Sequence, residues 1–214
     1  MNSEILEYLE KKRKPSIFKP GEIIFFQDEP VAEFYYIKSG LSLTYTILED
    51  GRERNILVSW PQRFFGISTF FDGGVHRSSA IALKKCEIIV IDKVFYAECA
   101  AKFSDFQTLL ITELSKDINT LFEHLSDSSM LNSDINVARF ICRRLSRGQH
   151  TDSNGRPVLN YTQYFIATVL GLSRWSVNKA LASFRAKGWI ITGHGTITVI
   201  DPDKIREFGY ENGT

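Results

Sequence analysis

The chain has 214 residues, 43% of them hydrophobic and 24% charged, which is long enough to bury one large core or two modest ones and too apolar for a disordered chain. No apolar run approaches the roughly 18 residues that a bilayer demands, and Met1 to Lys14 is charged where a secretory signal would be apolar. Three cysteines, Cys86, Cys99 and Cys142, are odd in number and widely spaced, which excludes a disulfide framework, a zinc knuckle and a Cys-x-x-Cys redox pair. A reducing cytoplasm is the expected compartment. The net charge of +1 conceals an asymmetry: residues 1–132 carry 15 Lys/Arg against 19 Asp/Glu, and residues 133–214 carry 11 against 6. Only the second part is expected to meet a polyanion.

From Phe18 to about Ile91 the pattern is β. Runs rich in Ile, Phe, Tyr and Val occupy Ile23–Phe26, Phe34–Ile37, Leu41–Leu48, Asn55–Trp60 and Ala80–Ile91, punctuated by Gly21, Gly40, Gly51 and Gly66. Asp50-Gly51 between two such runs is the strongest hairpin signal, since glycine accepts the positive φ of a tight turn. Short strands at this spacing, with no helices expected between them, predict an antiparallel barrel or jelly roll.

After Asp92 the period changes. Asp105 to Met130 lacks Pro and Gly, and Phe106, Leu110, Leu114, Ile118, Leu121 and Leu125 recur every three or four residues. That spacing predicts a helix of about 26 residues, roughly 39 Å long. Ile111 and Phe122 lie off the stripe, so one face can cover the β domain and another a second copy of the chain. Ser126–Ser129 and Asn132–Asp134 form a polar hinge, followed by a helix over Ile135–Arg147 and a loop over Gly148–Pro157. The basic run Lys11–Lys14 is taken as a solvated face.

Tyr161 to Ile200 carries the chemistry. Thr162 can cap a helix bearing Phe165, Ile166, Val169 and Leu170; Gly171-Leu172-Ser173 is a turn; a second helix starts from Ser173 and buries Val177, Ala180, Leu181 and Phe184. Two short helices across a glycine-containing turn form a helix-turn-helix. The burying face leaves Arg174, Trp175, Asn178 and Lys179 outward at the start of the second helix, where side chains reach base edges in a major groove. Trp189–Ile191, Thr192–Gly195 and Thr196–Ile200 then predict a small hairpin, the wing of a winged helix, with His194 at its tip. Residues 133–200 hold nine Lys/Arg and two Asp/Glu, the surface that salt-dependent phosphate binding needs. A helical hairpin that only packs would not need that charge.

Over nearly its full length the chain resembles the cyclic-AMP receptor protein / fumarate-nitrate reduction regulator (CRP/FNR) superfamily of bacterial transcription regulators. Thr162-x-x-x-Ile166-Ala167-x-x-x-Gly171-x-Ser173-Arg174-x-Ser176-Val177 is similar to the family's DNA-binding signature, and Gly21-Glu22, Gly40, Gly51 and Gly66 have the spacing of its β-roll. The resemblance implies an α+β fold in three parts. These are an effector-sensing antiparallel β-roll of the cyclic-nucleotide-binding type (1–103), a long dimerisation helix and hinge (104–132), and a winged helix-turn-helix (133–214). It implies double-stranded DNA and a second copy of the chain as partners, no membrane, and RNA polymerase as an open further partner. DNA-binding positions carried over are Thr162, Ser173, Arg174, Trp175, Ser176, Asn178, Lys179 and His194, with Arg174 the candidate for bidentate contact to guanine. Well-known relatives have Glu where this chain has Trp175, and a tryptophan cannot accept from a cytosine amino group; stacking on a thymine methyl and packing on sugar both stay open.

For the effector the resemblance points to Gly66, Ile67, Arg77, Ser78 and His124. Gly66 and Arg77 stand at the family's separation, but Ile67 occupies the position of the glutamate that holds the ribose of a cyclic nucleotide. Isoleucine cannot accept that hydrogen bond, and stranding the hydroxyl costs roughly 1–3 kcal/mol, so cyclic AMP is not the expected effector. Arg77 is either the anchor of a small anion or a surface ion pair. Phe64, Phe65, Phe70 and Phe71 either line an aromatic pocket, as in the family's sensors of halogenated aromatics, or belong to the core. No cofactor is expected: a chain without cysteine before Cys86 lacks the four thiolates of an iron–sulfur sensor. His76 is a lone candidate for haem, and such turn histidines are ordinarily solvated or hydrogen-bonded. Cys86 and Cys99 have no activating neighbour in sequence and are expected to be buried small residues. Jelly rolls also host metal-dependent enzymes, but His76, His124, His150 and His194 are scattered, and no nucleophile–base pair or phosphate loop stands out. No enzymatic activity is expected. A cyclic-nucleotide domain acting as a regulatory module of a kinase or channel would lack the winged helix-turn-helix.

Overall fold

A computed structural model describes residues 3–130, 132–146 and 150–210, with the backbone alone for 123–130. The chain forms two compact units, Met1–Phe122 and Glu123–Thr214. In chain order the first holds α1 (Ser3–Lys12), β1 (Ser16–Phe18), β2 (Ile23–Phe25), β3 (Glu33–Ser39), β4 (Ser42–Ile47), β5 (Glu53–Ser59), β6 (Arg63–Phe65), α2 (Ile67–Asp72), β7 (Ser79–Ala82), β8 (Cys86–Asp92), α3 (Lys93–Lys102) and the start of α4 (Phe106–Met130). Its strands make two antiparallel sheets, β1-β8-β3-β6 and β2-β7-β4-β5. This is the expected β-roll.

The middle of β3, Phe34 to Ile37, is buried because both of its faces are covered. Phe34 and Tyr36 pack with Ile5 and Leu9 of α1, Phe95 and Cys99 of α3, and Phe106 of α4. Tyr35 and Ile37 point the other way, among Phe25, Phe65, Ala80 and Ile88. Asp50-Gly51 turns as expected, with Gly51 at φ +80° and its N–H donating to Leu48 O at 2.8 Å.

Three of the sequence expectations for the first unit need correction. The run Ala80–Ile91 is two strands, β7 and β8, in different sheets. The chain changes sheet at the corner 83–85, where Leu83 N–H donates to Leu41 O at 2.8 Å. Gly40 (φ +93°) makes that approach feasible, since a Cβ there would lie 2.3 Å from Lys85 O. Helices do interrupt the strands: α2 starts at Gly66 in the left-handed region (φ 76°) and sinks Ile67 into the core. The basic run at Lys11–Lys14 is only partly solvated, because Arg13 pairs with Asp92 at 2.9 Å and lies 4.7 Å from the Phe95 ring centroid.

One charged cluster joins the roll to α4. The Glu113 side chain is fully buried and accepts from Arg63 of β6 and, at 2.7 Å, from Lys116; Arg63 also reaches Asp117 at 2.9 Å. Along α4, Ile111, Ile118 and Phe122 remain exposed.

The second unit contains α5 (Ser133–Leu145), β9 (His150–Thr151), β10 (Pro157–Leu159), α6 (Gln163–Leu170), α7 (Arg174–Ala186), β11 (Ile190–Gly193), β12 (Thr196–Val199) and α8 (Pro202–Tyr210). The predicted loop 148–157 includes β9 and the start of β10; residues 147–149 lie outside those described. The wing is therefore the edge of a four-stranded sheet, β11-β12-β10-β9. Val137, Phe140 and Ile141 of α5, Ile166 of α6, Val177, Leu181 and Phe184 of α7, and Ile205 of α8 make one core. No helix among the described residues is long and apolar enough to cross a membrane.

Burial pushes the Asp117 carboxyl up to about 6 from 3.8, Glu113 adding to the rise while Arg63 and Lys116 oppose it. Folded protein thus holds this proton to higher pH than unfolded chain, so the contribution to stability is largest at low pH and is lost as pH rises from 3.8 to about 6. Urea denaturation across that window should show wild type losing about 2 kcal/mol more than Asp117→Asn. Parallel pH profiles in the two proteins would refute it.

Candidate nucleic-acid interface and effector site

Local chemistry sets the helix-turn-helix. Thr162 Oγ1 accepts from Phe165 N–H at 3.1 Å and so caps α6. Gly171 ends the helix in the left-handed region at φ 63°. Two residues later Ser173 Oγ accepts from Ser176 N–H at 3.0 Å and shares a 2.9 Å hydrogen bond with Ser176 Oγ, which anchors the first turn of α7. Val177, Ala180, Leu181 and Phe184 are buried behind it.

The opposite face is open. Arg174, Trp175, Asn178 and Lys179 are exposed together at the N-terminal half of α7, as are Thr162 and Ser173, while Ser176 is half-buried. Trp175 is 71% exposed, and the Lys179 ammonium lies 5.3 Å from its ring centroid. On the wing, β11 and β12 pair from Ile190↔Val199 to Gly193↔Thr196, leaving His194 and Gly195 as a two-residue tip with Gly195 at φ +72°. Arg185 of α7 donates to Thr192 of the wing at 3.4 Å.

These elements enclose a cleft of about 420 Å³ whose lining includes Thr162, Gln163, Tyr164, Arg174 and His194. Gln163 and Tyr164 are additions to the predicted set; their position immediately after the Thr162 cap, at exposed N-terminal helix positions, was the available signal. Not every basic residue counted in sequence faces outward: Arg139 donates to Gly209 O at 2.7 Å, and Arg144 is buried with its guanidinium 5.7 Å from the Phe140 ring.

The effector positions fall less neatly together. Gly66 starts α2 beside Tyr35, whose ring a Cβ would meet at 3.3 Å. Ile67 is 1% exposed, and its side chain belongs to the packing between sheet and helices. Arg77 is an exposed ion pair with Asp72 at 2.8 Å, Ser78 is half-buried, and the His124 side chain lies outside the described residues. Phe64 and Phe65 are core; Phe70 packs partly against it and Phe71 is exposed.

His76 is buried rather than solvated. It stacks on Phe25 at 4.0 Å, and its Nδ1 has no hydrogen-bond partner. Burial lowers its pKa, against the pull of Glu29 and Glu33. Cys86 and Cys99 are buried with thiols pushed up by desolvation, Cys99 to about 11. Among the described residues no three His, Cys, Asp or Glu side chains gather as a metal site.

A β-roll followed by a winged helix-turn-helix with an open recognition face is the plan of a sensor-type DNA-binding regulator. Comparison with known proteins agrees. The cyclic nucleotide-binding domain family matches residues 15–102, and the Crp-like helix-turn-helix domain matches residues 137–208. A CRP-like cAMP-activated global transcriptional regulator of Mycobacterium tuberculosis is 27% identical over 198 residues, spanning 92% of this chain and 88% of that protein. The nitrogen fixation regulation protein FixK of Bradyrhizobium diazoefficiens is 26% identical over 196 residues, spanning 88% and 78%. The structure of FixK2 from Bradyrhizobium japonicum shares the fold, with a TM-score of 0.76 at 20% identity over 92% of this chain and 96% of that one. The chain belongs to the CRP/FNR superfamily of transcription regulators, with an effector-binding domain and a helix-turn-helix DNA-binding domain.

Because the Ser173 cap orients the recognition helix, Ser173→Ala should lower the stability of the winged-helix unit by about 1 kcal/mol. Chemical denaturation followed by circular dichroism measures it; an unchanged midpoint would mean that water replaces the cap at no cost.

Proposed function

We propose that the protein is a cytoplasmic homodimer whose two recognition helices read a pseudo-palindromic operator in successive major grooves, under control of a small effector bound by the roll. The observation that carries this reading is the two-sided character of α7. Val177, Ala180, Leu181 and Phe184 are buried, while Arg174, Trp175, Asn178 and Lys179 are left to solvent at its N-terminal end. Base contact is assigned to Arg174, Trp175, Asn178 and Lys179. Thr162, Ser173, Ser176 and His194 line the phosphate side, and the hydroxyls of Thr162 and Ser173 also cap their helices.

A second copy is the partner assigned to the exposed stripe Ile111, Ile118 and Phe122. These residues recur at i, i+7 and i+11 on a helix whose other face is already occupied by the roll.

The effector is assigned to small anions or aromatics other than cyclic AMP. Ile67 supports the exclusion, because a core isoleucine offers nothing to a ribose hydroxyl. Arg77 supports the anion, because its pairing with Asp72 is exposed and worth at most about 1 kcal/mol, which an incoming anion can displace.

Selection from randomised duplex DNA should enrich a two-fold symmetric site with half-sites about 34 Å apart. Arg174→Ala should then cost about 1–3 kcal/mol at one symmetric base position and relax selectivity there. A uniform loss on every sequence would make Arg174 a phosphate contact instead. Phe122→Asp should convert the dimer to monomer in light scattering at micromolar concentration, and a wild type already monomeric there refutes the two-copy reading.

A further inference from the structure

Among the residues of α7, Trp175 stands apart. It belongs to neither side's ordinary chemistry: a large apolar ring, 71% exposed, packed in no core cluster, on a face otherwise made of Arg174, Asn178 and Lys179. It is also well placed. Ser173 and Ser176, two residues before and one after, are tied to each other by two hydrogen bonds, so the backbone that carries Trp175 is held by a capped helical turn. One turn further on, the Lys179 ammonium sits 5.3 Å from the ring centroid, within cation–π range. That contact takes one side of the indole and leaves the other side and the edge.

The chemistry of that remaining surface is narrow. An indole offers one N–H donor, no acceptor and a broad apolar plane. In the major groove cytosine shows a donor, adenine an acceptor beside a donor, and guanine two acceptors; thymine alone shows an apolar group, its C5-methyl, next to an acceptor. Cytosine therefore meets Trp175 with nothing to match. Guanine is better met by the planar fork of the neighbouring Arg174. We propose that Trp175 reads a thymine in each half-site, laying its indole against the C5-methyl group, and that it thereby fixes a base step that a carboxylate at this position would assign to cytosine. This rests on the DNA-binding reading above and adds the base it selects.

The test deletes the methyl and nothing else. In the operator recovered by selection, each thymine of the half-site is replaced in turn by deoxyuridine, symmetrically in both halves. Affinity is then measured by fluorescence anisotropy at one fixed salt concentration for wild type and Trp175→Ala. Wild type should lose about fourfold per half-site at one position, the worth of one buried methyl. Trp175→Ala should be indifferent to the methyl at that position while keeping its other base preferences. Changing that thymine to cytosine should weaken wild type further, and 5-methylcytosine should recover part of the loss.

Insensitivity of wild type to every deoxyuridine overturns the proposal and places Trp175 on sugar. Equal sensitivity in wild type and Trp175→Ala overturns it too, since another side chain then touches the methyl. Since the residue is exposed, an unaltered urea midpoint in Trp175→Ala should accompany the result. Selection that enriches no duplex at all, from protein shown folded and dimeric and with candidate anionic aromatics added, overturns the DNA-binding reading itself and this inference with it, an outcome the base-analogue series cannot produce.

Discussion

Four side chains, Val177, Ala180, Leu181 and Phe184, are sunk into the core of the second unit, and that burial decides what the rest of α7 can touch. Each such burial stabilises by about 1.5–3 kcal/mol for the larger side chains, so the helix cannot rotate about its axis without giving up several of them together. Its polar face is thereby held outward by an apolar constraint. Arg174, Trp175, Asn178 and Lys179 need no mutual contacts to stay presented; Phe184, stacked on Trp189 at 5.8 Å and edge-on to Phe208 at 5.5 Å, holds them from behind. The same core receives Ile205 of α8 and Ile197 of the wing, so the helix and the hairpin that flank the cleft are positioned by one set of contacts.

In the first unit the corresponding constraint is electrostatic. Glu113 has no exposed side-chain surface, and a carboxylate in that position survives only because Arg63 and Lys116 both donate to it. Removing one partner of such a group costs about 3–5 kcal/mol, much more than the pair contributes over an apolar replacement. The cluster therefore specifies more than it stabilises: it sets the register of α4 on β6, and with it which face of α4 is left uncovered. Ile111, Ile118 and Phe122 are exposed because Phe106, Leu110 and Glu113 are not.

Legibility in the sequence followed how local the determining chemistry was. The helix-turn-helix could be placed because Thr162, Gly171 and Ser173 act on backbone within three or four residues of themselves, and the apolar spacing between them is regular. Asp50-Gly51 was readable for the same reason. By contrast α1 offers only Ile5 and Leu9 as fully buried residues in ten, and it is a helix because the roll's outer face needs cover. The run Ala80–Ile91 looked continuous because nothing in its own composition announces a corner; the break depends on Gly40, some forty residues earlier in the chain. In α2 the pair Phe70-Phe71 has strand-like composition, yet the segment is helical from the left-handed Gly66 onward. The recognition face was legible in kind, its burial pattern being periodic, while Gln163 and Tyr164, exposed beside the Thr162 cap, line a cleft that the wing completes.

The effector residues show the limit most sharply, because two positions read side by side have opposite freedom. Ile67 is part of the packing between sheet and helices, so exchanging its surroundings for a ligand would reopen a core. Among the described residues Arg77 is tied only to Asp72, at the surface, by a pair that water already competes for. The roll interior holds Phe25, Tyr35, Phe65 and His76, whose ring stacks on Phe25 while its Nδ1 has no hydrogen-bond partner. A ligand entering there must bring a hydrogen-bond partner for His76 Nδ1 or leave that atom unsatisfied, at about 1–3 kcal/mol either gained or forgone. An anion held at Arg77 faces no such demand and competes with one exposed carboxylate. The physical cost of admission thus differs by site, and it is lowest where the charge is positive and the core is not disturbed.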